Sequence, residues 1–336
     1  MVRGEQTDFM DGCVAFSEDG ETSSPPRNHM LLTLDVLHDL EFIGCGSANA
    51  VFAYWGDRDD LKHKIIRVRL LHSEICTTVI YNALVSGKFD SLRSYLVACS
   101  ILQVDPILLQ KLEDFGRKKV ANFNLNLEEK YVLLMDNIFS YPLSRYNCYR
   151  LSKYHTFFVE KGNNETILEF KPKWLYTLPE NHKSCRNCLN AMYKGQKFNP
   201  CHLKLLQKNG IDIWCNEVQQ ELNRRGINKS VKNDLRETIQ RKYNLFETLY
   251  ALQNKSDVHK LLLNLKSEED VTEELKFEMT IRDVSLLMKL NDKKVFVIDF
   301  DEKPATKWIR WKEHEAEFED KYSEDLGLQC SFEANN

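Results

Sequence analysis

No window of the chain comes near the roughly 18 uninterrupted apolar residues of a membrane-spanning helix. The N-terminus carries Glu5, Asp8 and Asp11 where a secretory signal would be basic and then apolar, so an intracellular protein with no membrane partner is expected. Glycine and proline are sparse, 13 and 8 of 336 residues, while 43% of the residues are hydrophobic and 11% aromatic. Those values exclude collagen-like, low-complexity and wholly disordered classes. There is no internal repeat, which sets aside solenoids and propellers. There is also no GxxxxGK[ST] phosphate loop. What is left is a globular protein with enough chain for about two domains at roughly 150 residues each.

Ten cysteines are present, but only Cys185 and Cys188 form a spaced pair. In a long chain without a secretory signal, reduced thiols are favoured over a disulfide framework. The net charge of -4 hides an asymmetry. Residues 1–40 hold eight acidic side chains against two basic, and residues 313–336 hold eight against one, so residues 41–312 carry a net charge of +9. The middle of the chain should attract anions.

Residues 1–30 lack periodicity and offer too little apolar surface to offset ordering entropy, so residues 1–38 read as a disordered acidic extension. From residue 39 an apolar run, a glycine-rich turn and a second apolar run read as strand, loop and strand, with a further strand over 63–71. Helical spacing covers 74–84 and 91–102, and Lys130 to Met135 reads as a buried strand ending in Asp136-Asn137. Further on, 166–170 is strand-like, 211–225 and 232–252 are helical, and 277–300 reads as a β-hairpin. The expected organisation is an N-lobe over 39–140, a C-lobe over 141–312 and an acidic tail over 313–336.

Several patterns carry chemistry. Gly44-Cys45-Gly46-Ser47-Ala48-Asn49 between two strands could cover phosphates, because small residues let backbone N–H groups approach an anion; an ordinary hairpin loop is the alternative. Arg67 follows on a strand, where kinases of the protein-kinase type place a phosphate-pairing cation, and alternation puts Arg69 on its face. In the hairpin, Asp283 and Asp299 are equidistant from Asn291. Symmetric pairing would bring both carboxylates to the open end, where a cation would relieve their repulsion. A turn cap and a strand end are the plainer readings.

Positive charge concentrates in residues 169–208. There Glu169, Lys171 and Lys173 of Glu169-Phe170-Lys171-Pro172-Lys173 should share one strand face opposite Phe170. Convergent cations there suit a densely charged anion. Cys185-Arg186-Asn187-Cys188 has metal-ligand spacing without a second such pair, so zinc stands against reduced cysteines packing a turn.

Glu169-Phe170-Lys171-Pro172-Lys173 resembles the ExKPK hallmark of the inositol-pentakisphosphate 2-kinases. The resemblance extends in order through Gly44 to Val51, through Cys185-Arg186-Asn187-Cys188 with Lys194-Gly195 as in fungal members, and through Thr280 to Asp283 and Val297 to Pro304. It covers roughly residues 40–311. It implies an α+β, two-lobed inositol phosphate kinase fold distantly similar to protein kinases, with an ATP cleft between the lobes. It also implies transfer of the ATP γ-phosphoryl to the 2-hydroxyl of inositol 1,3,4,5,6-pentakisphosphate, giving the hexakisphosphate.

By matching position, Gly44, Gly46, Ser47, Ala48 and Asn49 would cover ATP phosphates, Arg67 would pair with one, and Asp136 and Asn137 would form the adenine hinge. Asp299 would hold Mg²⁺, and Asp283 would orient or deprotonate the hydroxyl or share the metal. Lys171 would stabilise the transferred phosphoryl. Glu169, Lys173, Arg186, Lys194 and Lys303 would form the substrate site, with Asn244, Lys307, Arg117, Lys118 and Arg310 as looser matches. A monomer is expected, in the nucleus and the cytoplasm, with nuclear residence the family-level expectation. Ile281-Arg282-Asp283 and Asp299-Phe300-Asp301 echo kinase triplets with Ile for His and Asp for Gly, which disfavours a protein substrate. The rival class is a non-catalytic polyanion or nucleic-acid binder. Stacking aromatics are not interleaved with the basic cluster, which argues against it.

Overall fold

The computed structural model describes residues 31–175, 185–196 and 198–322. Its first sheet has the strand order β1 (Leu31–Leu32), β5 (Cys99–Val104), β6 (Tyr131–Asp136), β4 (Lys64–Arg69), β3 (Asn49–Tyr54) and β2 (Leu40–Cys45). All neighbours are antiparallel except β1 with β5. One face packs α2 (Pro106–Arg117), started by Asp105, whose carboxylate accepts from Ile107 N at 2.8 Å, with Pro106 in the first turn. Phe52, Ile66, Val68, Leu108 and Leu112 fill the space between them. The other face carries α1 (Thr77–Val85), with Ile80 against Leu133 and Met135.

The second sheet is an antiparallel ladder, β11 (Lys294–Ile298), β10 (Ser285–Lys289), β9 (Thr166–Phe170), β8 (His155–Glu160) and β7 (Tyr146–Ser152). Around it lie α3 (Arg186–Tyr193), α4 (Lys208–Arg224), α5 (Lys232–Arg241), α6 (Tyr243–Gln253), α7 (Val258–Asn264), α8 (Glu273–Ile281) and α9 (Trp308–Tyr322). The core between them includes Phe157, Phe170, Trp214, Phe246 and Leu286. The architecture is α+β with two sheets, and a cleft lies where the sheets meet. No described helix is long and apolar enough to cross a membrane.

Five features differ from the sequence reading. Residues 31–38 pack with the first sheet, because β1 pairs with β5 and Leu32 and Val36 are buried; residues 1–30 of the expected extension lie outside the described residues. The expected helix over 91–102 is a 3-10 turn (Asp90–Tyr95) followed by β5, whose pairing with both β1 and β6 outweighs helical spacing. The helix over 232–252 breaks at Lys242, and 277–281 is the end of α8 rather than hairpin. The chain also stays helical past 312, to Tyr322, with Glu315 buried, so α9 is not a solvated tail.

Candidate active site

The cleft, about 380 Å³, has apolar walls from both sheets, including Val51, Ile65, Met135, Leu287 and Ile298. Polar groups enter at its two ends. At one end are Asp136 and Asn137, where β6 leaves the sheet. Asn137 N donates to His63 O at 2.7 Å and its Oδ1 accepts from Phe139 N at 3.0 Å. Its Nδ2 is buried and has no hydrogen-bond partner among the described residues, a costly state unless a ligand supplies an acceptor. At the other end are Gly46, Arg67, Glu169, Lys171 and Asp299.

The glycine-rich turn is closed by Gly46 N donating to Asn49 O at 2.9 Å, and a Cβ on either Gly44 or Gly46 would meet nothing within 4 Å. That leaves the turn open to an approaching anion. Ser47 is exposed, and the Ala48 carbonyl is tied to Leu70 N and Ser73 Oγ. Asn49 is not aimed at the turn's mouth. Its Nδ2 donates to Asp301 Oδ2 at 2.5 Å, and its Oδ1 accepts from Arg69 at 2.7 Å.

Asp301 thus gathers side chains from β3 and β4. Arg67 Nη2 lies 2.8 Å from Asp301 Oδ1 and Arg69 Nη1 lies 3.0 Å from Oδ2. Burial works against ionising Asp301, but Arg67 and Arg69 outweigh it and hold the carboxyl below its ordinary value. Arg67 also reaches to 3.9 Å from Asp299. In protein kinases a glutamate on a helix holds the corresponding cation. Here α1 contains no acidic residue, and the carboxylate paired with Arg67 comes from Asp301. The sequence reading gave Asp301 and Arg69 no role, although Asp301 stands two residues after Asp299 and Arg69 alternates with Arg67.

Phe170 anchors the Glu169 to Lys173 segment. Its ring packs on His155 at 5.0 Å, His202 at 4.9 Å and Trp214 at 5.3 Å. Burial pushes His202 down to about 4 and His155 well below its ordinary value, so both are neutral packing rings. Lys171 then meets Asp299 at 3.2 Å. Burial disfavours the ammonium, yet the Asp299 carboxylate and its hydrogen bond raise Lys171 above its ordinary value.

The expectation that Glu169, Lys171 and Lys173 share one face fails at Lys173. Strand β9 ends at Phe170, Pro172 has no N–H, and Lys173 N turns back onto Lys171 O at 2.8 Å. Glu169 and Lys171 line the apolar cleft while Lys173 points into a second cavity of about 710 Å³.

That second cavity is net basic, with Lys173, Arg186, Lys194, Arg282, Lys303 and Arg310 among its walls against Asp283, Glu315 and Glu317. Asp283 is gripped by Lys173 and by Lys303, the latter at 2.6 Å. Burial opposes its ionisation, but Lys303 and Lys173 bring the carboxyl down to about 2. Lys307 is close enough for burial and Lys303 to lower its own ammonium pKa.

The symmetric hairpin pairing also fails. Ser285 pairs with Ile298 and Lys289 with Lys294, leaving a four-residue loop with Lys293 at φ 54°, so Asp299 lies opposite Val284. Asp299 itself sits at φ 67°, a left-handed conformation uncommon for a side-chain-bearing residue, and Ser285 Oγ donates to it at 2.7 Å. The two carboxylates therefore serve different cavities.

Arg186 and Asn244 also depart from expectation. Arg186 is buried and bidentate with Glu315 at 2.5 and 2.7 Å, and it stacks on Trp174 at 3.9 Å, so its charge is already matched. Asn244 is exposed at the start of α6 and lines neither cavity. Arg117 bonds Phe123 O and Asn124 on the far side of the first sheet's core.

The family model for inositol-pentakisphosphate 2-kinase matches residues 42–317. Among curated relatives, the inositol-pentakisphosphate 2-kinase of Saccharomyces cerevisiae is 28% identical over 293 residues, covering 81% of this chain and 93% of the relative. That of Debaryomyces hansenii is 27% identical over 287 residues, covering 73% and 74%. That of Kluyveromyces lactis is 24% identical over 291 residues, covering 82% and 93%.

Proposed function

The chain belongs to the inositol-pentakisphosphate 2-kinase family, and on that premise we propose how its two cavities carry out the reaction. The enzyme phosphorylates the 2-hydroxyl of inositol 1,3,4,5,6-pentakisphosphate to give inositol hexakisphosphate, with ATP as donor. The observation that carries the division of labour is that the same two segments feed both cavities. Residues 169–173 send Lys171 to the apolar cleft and Lys173 to the basic one, and the hairpin sends Asp299 to the first and Asp283 to the second.

The apolar cleft fits a nucleotide. Its walls suit a flat base, the orphaned Asn137 Nδ2 suits a ring acceptor, and Gly46, Arg67 and Lys171 suit the phosphates. The fit for a divalent cation is also good, because Mg²⁺ takes one or two carboxylates plus substrate phosphates, and Asp299 offers a carboxylate beside Arg67 and Lys171. When bound, the cation supplies charge neutralisation at the transferring phosphoryl. Asp301 keeps Arg67 extended toward those phosphates, and Lys171 neutralises the phosphoryl's equatorial oxygens as it moves.

In the basic cavity Lys173, Lys194, Lys303 and Arg310 receive ring phosphates, with Lys307 adding charge from beside it, and only one ring orientation satisfies them together. Asp283 orients the 2-hydroxyl. At a pKa near 2 it is ionised but weakly basic; phosphates that draw Lys173 and Lys303 away would raise its basicity as the substrate seats. A non-catalytic polyanion binder would leave the apolar cleft and the Lys171–Asp299 pair without a use.

The test is incubation of the protein with Mg²⁺, ATP and inositol 1,3,4,5,6-pentakisphosphate, with the product identified by phosphorus NMR. Hexakisphosphate phosphorylated at the 2-position is expected. Tight binding without turnover would overturn the reading.

A further inference from the structure

The turn that carries Lys173 is strained. Trp174, the next residue, has φ 54°, which is uncommon for a bulky side chain. Asn187 holds it by donating through Nδ2 to the carbonyls of Lys173 and Trp174, while His202 Nδ1 lies 3.0 Å from the same nitrogen. Asn187 stands between Cys185 and Cys188, and His202 follows Cys201 directly. Whatever fixes these three cysteines also fixes the brace under Lys173.

The three sulfurs converge. All lie within 4.8 Å of one another, and Cys185 Sγ is 3.7 Å from Cys201 Sγ. Thiolates around a tetrahedral Zn²⁺ at about 2.3 Å are separated by about 3.8 Å, so one pair already has the required spacing and the widest needs to close by no more than about 1 Å. Cys185 is the N-cap of α3, and its sulfur accepts from Cys188 N at 3.4 Å. A backbone donor and a helix N-terminus both favour a thiolate over a thiol. Cys185 and Cys201 are buried and Cys188 is half-buried, as befits a structural site.

We propose that Cys185, Cys188 and Cys201 form a three-thiolate structural site for a zinc-like divalent cation, which clips the start of α3 to the turn at Cys201 and so braces the Lys173 turn. Cation binding releases the thiol protons to solvent, so apparent affinity falls in acid. Among the described residues no fourth His, Cys or carboxylate joins the group, and the donor in the fourth position is read by spectroscopy. The metal site itself is independent of the kinase reading; its effect on substrate affinity rests on it.

The experiment uses the full chain, purified without chelators, with metal content measured by inductively coupled plasma mass spectrometry and Co²⁺ exchanged into the site. Stoichiometric zinc and sulfur-to-cobalt charge-transfer absorption in the tetrahedral pattern are expected. Both should be lost in Cys188→Ser and retained in Cys148→Ser, an exposed cysteine elsewhere. Stripping the metal should raise the KM for inositol pentakisphosphate several-fold and leave the KM for ATP unchanged. Absence of metal together with absence of the cobalt absorption in the parent chain would overturn the site, as would a Cys185–Cys201 disulfide found by peptide mapping. A metal-loaded protein whose KM is indifferent to stripping would overturn the bracing role alone. The parent-chain measurements stand even where a cysteine variant fails to fold.

Discussion

Replacing Asp301 by Asn isolates the carboxylate on which Arg67, Arg69 and Asn49 converge. The side chains of Arg67, Arg69 and Asp301 are 11%, 4% and 15% exposed, so solvent cannot substitute for the lost charge. Breaking a buried ion pair while leaving its cations in place costs about 3–5 kcal/mol; Asn keeps the volume and one acceptor, so the lower end, about 3 kcal/mol, is expected. At roughly 2–4 °C per kcal/mol, the Tm should fall by about 6–12 °C.

Arg67 loses the partner that extends it, and a charged hydrogen bond of about 1.5–3 kcal/mol corresponds to a loss of roughly ten- to hundredfold in kcat/KM for ATP. Bound ATP restores negative charge beside Arg67, so ATP should raise the Tm of the variant more than that of the parent. The pH dependence has a definite sign. Asp301 has a folded pKa below its unfolded value, so its contribution is present above about pH 4 and is lost as pH falls through the folded value. The Asn variant should lack that acid-side loss. The assay is differential scanning fluorimetry with and without ATP, alongside steady-state kinetics. A Tm within about 2 °C of the parent with unchanged kcat/KM would refute the claim that Asp301 holds the two β4 cations, Arg67 and Arg69.

Three further outcomes are expected. Lys171→Met and Asp299→Asn should each lower kcat by about 10²–10³-fold or more with circular dichroism unchanged; near-normal turnover in either would remove that residue from the phosphoryl path. Lys303→Met should move the Asp283 carboxyl upward from about 2 in a carbon-13 NMR titration and raise the KM for inositol pentakisphosphate; an unmoved titration would mean that Lys303 does not govern Asp283. Glu315→Gln leaves the buried Arg186 unmatched and should cost about 3–5 kcal/mol in thermal or denaturant unfolding, whereas an unaltered midpoint would show that the pair contributes nothing net.

Much of the site was legible because its chemistry is local. The glycine-rich turn between β2 and β3, the strand carrying Arg67, the Glu169 to Lys173 segment and the hairpin bounded by Asp283 and Asp299 each declare themselves within a short stretch of chain. Strand alternation, turn residues and charge were enough to locate them. The +9 charge of residues 41–312 correctly pointed to an anionic substrate class.

Misreadings arose where a local pattern met a distant partner. Helical spacing over 91–102 lost to β5 pairing with strands on both sides. The hairpin closed on a four-residue loop, shifting Asp299 out of symmetry with Asp283. Strand alternation stopped at Phe170, so Lys171 and Lys173 entered different cavities.

By itself, then, the sequence placed the candidate groups on short, locally readable elements, because propensity, alternation and charge act over a few residues. Only the tertiary structure decided who meets whom. Asp301 reaches Arg69 across 232 residues, Arg186 is matched by Glu315 across 129, and Cys201 joins Cys185 across 16. Such pairings are selected by the packing of whole sheets and helices, in which burial makes an unmatched charge or strand edge costly and leaves one arrangement that satisfies them together.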